Sequence, residues 1–200
     1  MRVEKPFKYR RLSPFFVFGR LAKYDLDSVD RFIEWSDQQR RARQRYLDRL
    51  PGHSGSEDRF VDDTTEVDAF MYLYAEAAIV ILWRCVEIFR KRTIANAIGA
   101  PRAQVAYRHR KFCEALSRLG ISESTLRCAE SVDELRCINN AVKHEGRVGS
   151  ELAKHSLWKK RQGDELGDLR PHYRRLRPLA ERYIDDLVTE ATRWWEHQPA

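Results

Sequence analysis

Apolar residues recur three and four positions apart along most of this 200-residue chain. That spacing lines them up on one face of an α-helix. Val29, Phe32, Ile33, Tyr46, Leu47 and Leu50 predict a first helix over about 27–50. The longest helix is expected over about 65–98. Its middle, AFMYLYAEAAIVILW (69–83), is apolar most of the way round, so neighbours should surround it. Gly99 and Pro101 break the pattern. A third helix over about 102–119 turns Val105, Phe112, Leu116 and Leu119 inward and stops at Gly120. The last helix starts near Pro171. Leu176, Leu179, Ala180, Tyr183, Ile184, Leu187, Val188, Ala191 and Trp194 form its stripe, and Pro178 allows a kink or a late start.

Between the third and last helices lies SVDELRCINNAVKHEG (131–146), which reads as a helix with its own punctuation. Ser131 and Glu134 have the spacing of a capping box, and Gly146 is a helix stop. Val132, Leu135, Ile138 and Val142 make its apolar face. Two stretches read as loops: 51–64, rich in Gly, Ser and Asp, and the long 146–170. Residues 1–25 interleave aromatics with cations and read as an arm packed on the bundle, or as a surface that stacks bases and neutralises phosphates. The fold expected is all-α: one bundle domain of about five main helices over 26–200, preceded by the arm.

Composition narrows the function classes. The chain is 42% apolar, enough for a core, and only nine glycines and seven prolines argue against an all-β or disordered chain. A net charge of +7 favours an anionic partner such as nucleic acid. The apolar 69–83 run is short of the roughly 18 residues of a membrane span, and Glu76 interrupts it. No secretory signal is visible, so a cytoplasmic protein off the membrane is expected. Cys85, Cys113, Cys128 and Cys137 show no close-spaced pair, so zinc ligation by these alone is not expected, and no metal or cofactor is implied. His109, among Arg108, Arg110 and Lys111, reads as a surface histidine.

The candidate chemistry lies on the 131–146 helix. Arg136, Asn140 and His144 recur every four residues and fall within about 80° of one another around the axis. RNA cleavage without a metal needs a proton carrier and a group that meets charge on phosphorus. A histidine suits the first task. An arginine, with its fixed fork of donors, suits the second. Asn140 would orient the histidine or bind a phosphate oxygen, and Lys143 and Arg147 would add charge. Asn139 points nearer the apolar side and is expected to bond a neighbouring helix or subunit. Glu87 on the longest helix needs a partner, with Arg84, Arg136 or a second subunit as candidates, and both Glu87 and Arg84 count among the expected binding residues.

ELRCINNAVKHEG (134–146), following a long apolar helix in a basic helical chain, resembles the HEPN superfamily. The resemblance implies a helical bundle that dimerises, with an Arg-x(4–6)-His signature. Many members are metal-independent RNases of toxin–antitoxin, abortive-infection or CRISPR-linked defence. It also implies a composite cleft where the Arg and His of two subunits meet, and a cognate antitoxin or defence partner. The match departs at one place. The Arg position of the tight form falls on Asn139 and its polar follower on Asn140, while Arg136 lies one residue too far. Its Cα is roughly 12 Å along the axis from that of His144. Two outcomes stay open: an RNase with His144 as acid or base, Arg136 as phosphate clamp and Asn139 and Asn140 orienting, or a silent dimeric module that binds nucleic acid, nucleotide or a partner protein.

Overall fold

The computed structural model describes residues 14–49, 57–98, 109–144 and 146–197. Five α-helices carry the fold: α1 (Pro14–Leu47), α2 (Glu57–Ala97), α3 (His109–Arg118), α4 (Ala129–His144) and α5 (Arg170–Glu196). Single 3₁₀ turns at Glu123–Thr125, Leu152–Lys154 and Ser156–Trp158 punctuate the connections. An isolated antiparallel bridge joins Arg147 to Glu165. The described residues form an all-α bundle with the expected number of helices. Among the described residues, no helix is long and apolar enough to cross a membrane.

The order of burial follows the apolar stripes. α2 is the centre, packed on α1, α3, α4 and α5. Its Ala75, Ala78, Ile79, Leu82, Val86 and Phe89 are buried at helical spacing. α5 contributes Tyr173, Leu176, Ala180, Tyr183, Ile184, Leu187 and Ala191, the stripe its sequence announces. Pro178 sits on the exposed side, and the helix runs through it. A polar clasp then holds α5 to α1: Arg177 donates to Asp27 at 2.8 Å and Asp30 at 2.9 Å, and the Tyr173 hydroxyl donates to Asp30 at 2.6 Å.

Three boundaries differ from expectation, at the starts of α1, α2 and α4; α2 begins at Glu57, so 57–64 is helix where the sequence reads as a loop. α1 begins at Pro14, inside the stretch read as an arm. Ala22, Leu26 and Val29 continue one buried stripe there. Gly19 lets α1 approach α5, since a Cβ on it would lie 2.7 Å from Val188 Cγ2. Residues 1–13 of that arm, the 51–56 part of the first loop, the Gly99–Pro101 break and the 102–108 start of the third helix lie outside the described residues.

The capping box is not formed, because α4 starts at Ala129, before Ser131. Cys128, at φ 61°, makes the turn into it. Glu134 is buried instead of reaching back to the helix start. Its carboxylate accepts the Trp158 indole N–H at 2.8 Å and the Arg175 guanidinium at 2.6 Å. At the other end Gly146 does stop the helix, at φ 63°, its N–H bonded to the Ala141 carbonyl at 2.8 Å.

The 146–169 segment has no long helix but belongs to the core. Val148, Leu152, Trp158, Leu166 and Leu169 are buried. Trp158 is fully buried and stacks on His172 with ring centroids 4.4 Å apart. One buried carboxylate on α4 thus fixes this segment and α5 together.

Candidate functional site

α4 presents its polar side between two grooves. The first, of about 310 Å³, runs between α4, α2 and α3, and Trp83, Glu87, His109, Asn139 and Lys143 help line it. The second, of about 260 Å³, runs between α4 and the segment after it, lined by His144, Arg147 and Glu151 among others. Arg136 and Asn140 line both and form the ridge between them. The helical stripe of Arg136, Asn140 and His144 therefore does converge on one groove, with Arg147 on the facing wall. Asn139, Lys143 and Glu87 go to the other. Arg84 is exposed and lines neither groove, because it sits about 100° round α2 from Trp83.

The first groove is floored by a closed ion network. The Arg90 guanidinium is buried 3.8 Å from the Phe112 ring centroid and donates to Glu123 Oε1 at 2.6 Å. The Tyr183 hydroxyl donates to the same oxygen at 2.9 Å, and the Cys113 thiol donates to Oε2 at 2.7 Å. Glu87 pairs with Lys91 at 2.7 Å, so its partner is neither Arg84 nor Arg136. Lys91 lies one turn on from Glu87 and shares its face of α2.

His109 belongs to this network. It is half-buried, and its Nδ1 accepts from Arg90 at 3.1 Å. A guanidinium only donates, so the neutral ring carries its proton on Nε2, which lies 3.8 Å from both Glu123 and Asp133. Burial pulls the His109 pKa below its ordinary value. Arg90 and Arg136 act the same way, and Glu123 and Asp133 act against them. Its surroundings in the sequence suggested a surface histidine. The signal that places it inside is its offset of three from Phe112, a buried residue of the same short helix.

The second groove is more open. Arg136 Nε donates to Asp133 Oδ1 at 2.7 Å, and a terminal nitrogen donates to Cys137 Sγ at 3.3 Å. Burial opposes the Asp133 charge, but Arg136 outweighs it and holds that carboxyl below its usual range. His144 is exposed and makes no hydrogen bond or ion pair among the described residues; Lys143 is the same. Arg147 is exposed and donates to the Gly163 carbonyl at 3.1 Å. Asn139 is 1% exposed, and its amide donates to Asn140 Oδ1 at 3.3 Å, not to another helix. Asn139 Oδ1 has no partner among the described residues.

All four cysteines are free thiols. Burial pushes Cys85 and Cys137 up to about 11, and burial with the Glu123 bond pushes Cys113 to about 12. None of these three has the depressed pKa of a nucleophile. Among the described residues, two groups bring metal-ligating atoms within 4.8 Å of one another: His109, Cys113 and Glu123, and Asp133, Cys137 and His155. The chain matches no protein-family model, no curated protein and no solved structure.

Proposed function

We propose that this protein is a HEPN-like endoribonuclease that cleaves RNA without a catalytic metal, in the cytoplasm of a prokaryote, as a toxin or antiphage effector. The observation that carries the reading is the second groove, where Arg136, Asn140, His144 and Arg147 meet one space. In the cleavage the 2′-oxygen attacks the adjacent phosphorus and the bond to the 5′-oxygen breaks. The proton leaves the 2′-hydroxyl and a proton reaches the 5′-oxygen. His144 carries one of these transfers, and its exposure leaves it free to approach the ribose. Arg136 and Arg147 meet the charge that builds on the phosphoryl oxygens, and Asn140 holds a phosphate oxygen or the imidazole. One imidazole handles one transfer at a time, so a twin molecule that brings a second His144 to the same linkage completes the pair. RNA, a second copy of the chain and a cognate antitoxin or defence-system protein are the partners in this reading.

The test is incubation of the purified protein with single-stranded and structured RNAs, with the ends analysed. Cyclic-phosphate and 5′-hydroxyl ends that disappear in His144→Ala support the reading. RNAs left intact by a folded, dimeric protein overturn it.

A second reading has its own observation. Asn139 stands where the tight motif has arginine, and Arg136 already holds Asp133. A silent dimer that binds RNA through the same groove fits those facts. It predicts salt-sensitive binding without turnover; Asn139 itself lines the first groove, away from His144.

A further inference from the structure

We propose that Asp133, Cys137 and His155 form a zinc site that fastens the 146–169 segment to α4. Asp133 and Cys137 are four residues apart on α4 and so share one face. His155 comes from the junction of two 3₁₀ turns, held there by the buried Leu152 and Trp158 on either side. A carboxylate oxygen, a thiol sulfur and an imidazole nitrogen are a donor set zinc accepts, with a fourth position left to water.

Distances separate this trio from the other. Two ligands each about 2.1 Å from a tetrahedral zinc lie about 3.4 Å apart. His155 Nε2 is 3.5 Å from Asp133 Oδ2, too long for a good hydrogen bond and close to that edge. Arg136 binds the other oxygen, Oδ1, and so aims Oδ2 while leaving it open. The guanidinium also touches Cys137 Sγ and offsets part of the burial that holds this thiol up at about 11, so the ion itself must draw the proton off. On binding, the thiol proton goes to solvent and the sulfur takes the ion.

The His109 trio is built for something else. Its Cys113 Sγ and Glu123 Oε2 are 2.7 Å apart, a hydrogen bond and too close for two zinc ligands. Glu123 already takes Arg90 and Tyr183. A His109 that ligates through Nε2 must carry its proton on Nδ1, which faces the Arg90 donor. That group is complete without an ion.

The ion would set the wall that carries Arg147 and Glu151, yet the site stands whatever the second groove binds. The experiment is a cobalt(II) titration of the full-length chain, read by absorption, followed by zinc competition. The expected result is one equivalent of tetrahedral cobalt with a thiolate charge-transfer band, displaced by zinc. The band is lost in Cys137→Ser and retained in Cys113→Ser. Zinc affinity falls more than about 100-fold in Asp133→Asn and His155→Gln. If Cys137→Ser does not fold, Asp133→Asn, at a half-buried position, makes the same comparison. A wild-type protein with no thiolate band overturns the proposal, as does a band that Cys113→Ser removes and Cys137→Ser keeps.

Discussion

The two grooves flanking α4 are built from similar side chains and differ in what those side chains are already doing. In the first, Arg90, Lys91, Glu87 and His109 are committed to one another or to Glu123, and Arg90 is buried under Phe112. Lys143, at the rim of the first groove, makes no bond among the described residues; in the second, His144 makes none, and Arg147 holds only the Gly163 carbonyl and, at 4.0 Å, Glu165. Charge that is neutralised and dry holds helices together, and a polar side chain that is wet and weakly held is available to a ligand. Arg136 stands between them, tied to Asp133 yet lining both.

The sharpest way to break this contrast is to remove one group from each side. His144→Ala is expected to cut RNA cleavage by about 100- to 10,000-fold, the usual share of a general acid or base. Its unfolding free energy should stay within about 0.5 kcal/mol of wild type, as for an exposed residue. Arg90→Ala is expected to do the reverse. It leaves Glu123 buried without its cation and should cost roughly 3–5 kcal/mol in urea unfolding. If His144→Ala unfolds the protein, or Arg90→Ala leaves stability untouched, the division of labour between the grooves is wrong.

Trp158→Ala tests whether the second groove has a rigid wall. Loss of a fully buried indole that also donates to Glu134 should cost roughly 3–5 kcal/mol. Cleavage by the folded fraction should fall with it, because Arg147 and Glu151 lose their support. Unchanged cleavage would show that the 146–169 segment does not shape the site.

The smallest effect is one of pH. Burial, with Arg175 adding to it, holds the His172 pKa below the ordinary 6.5. The unfolded chain therefore takes up a proton where the folded one does not. Stability should be full above about 6.5, fall as pH drops below it, and level off below the folded pKa. His109 acts in the same direction. Urea titrations at several pH values should give a shallower slope for His172→Phe than for wild type; an equal slope would mean that the ring stacked on Trp158 does not titrate with folding.

The helices were legible because their apolar spacing survives as burial, most plainly along α5 from Tyr173 to Ala191 and along the middle of α2. The polar stripe of α4 was legible for the same geometric reason. What local pattern hid were features made by distant partners. Ser131 and Glu134 have capping-box spacing, but Glu134 is claimed by Trp158 and Arg175. The stretch 14–25 looks irregular because in sequence aromatics and cations surround Gly19 and Ala22, the small residues where α1 meets its neighbours. His109 looked wet because its neighbours in sequence are basic, while its neighbours in space are Arg90, Glu123 and Asp133. The Asp133, Cys137 and His155 trio needed the long connection folded back on α4 before its third member appeared.

The most direct test of the proposed RNA groove is NMR of the protein's six histidine rings during titration with a short non-cleavable RNA, one carrying 2′-methoxy groups. The account predicts that the His144 ring signals shift progressively and saturate, and that those of His109, locked against Arg90, stay in place. Saturating shifts at His109 with His144 unmoved would contradict it.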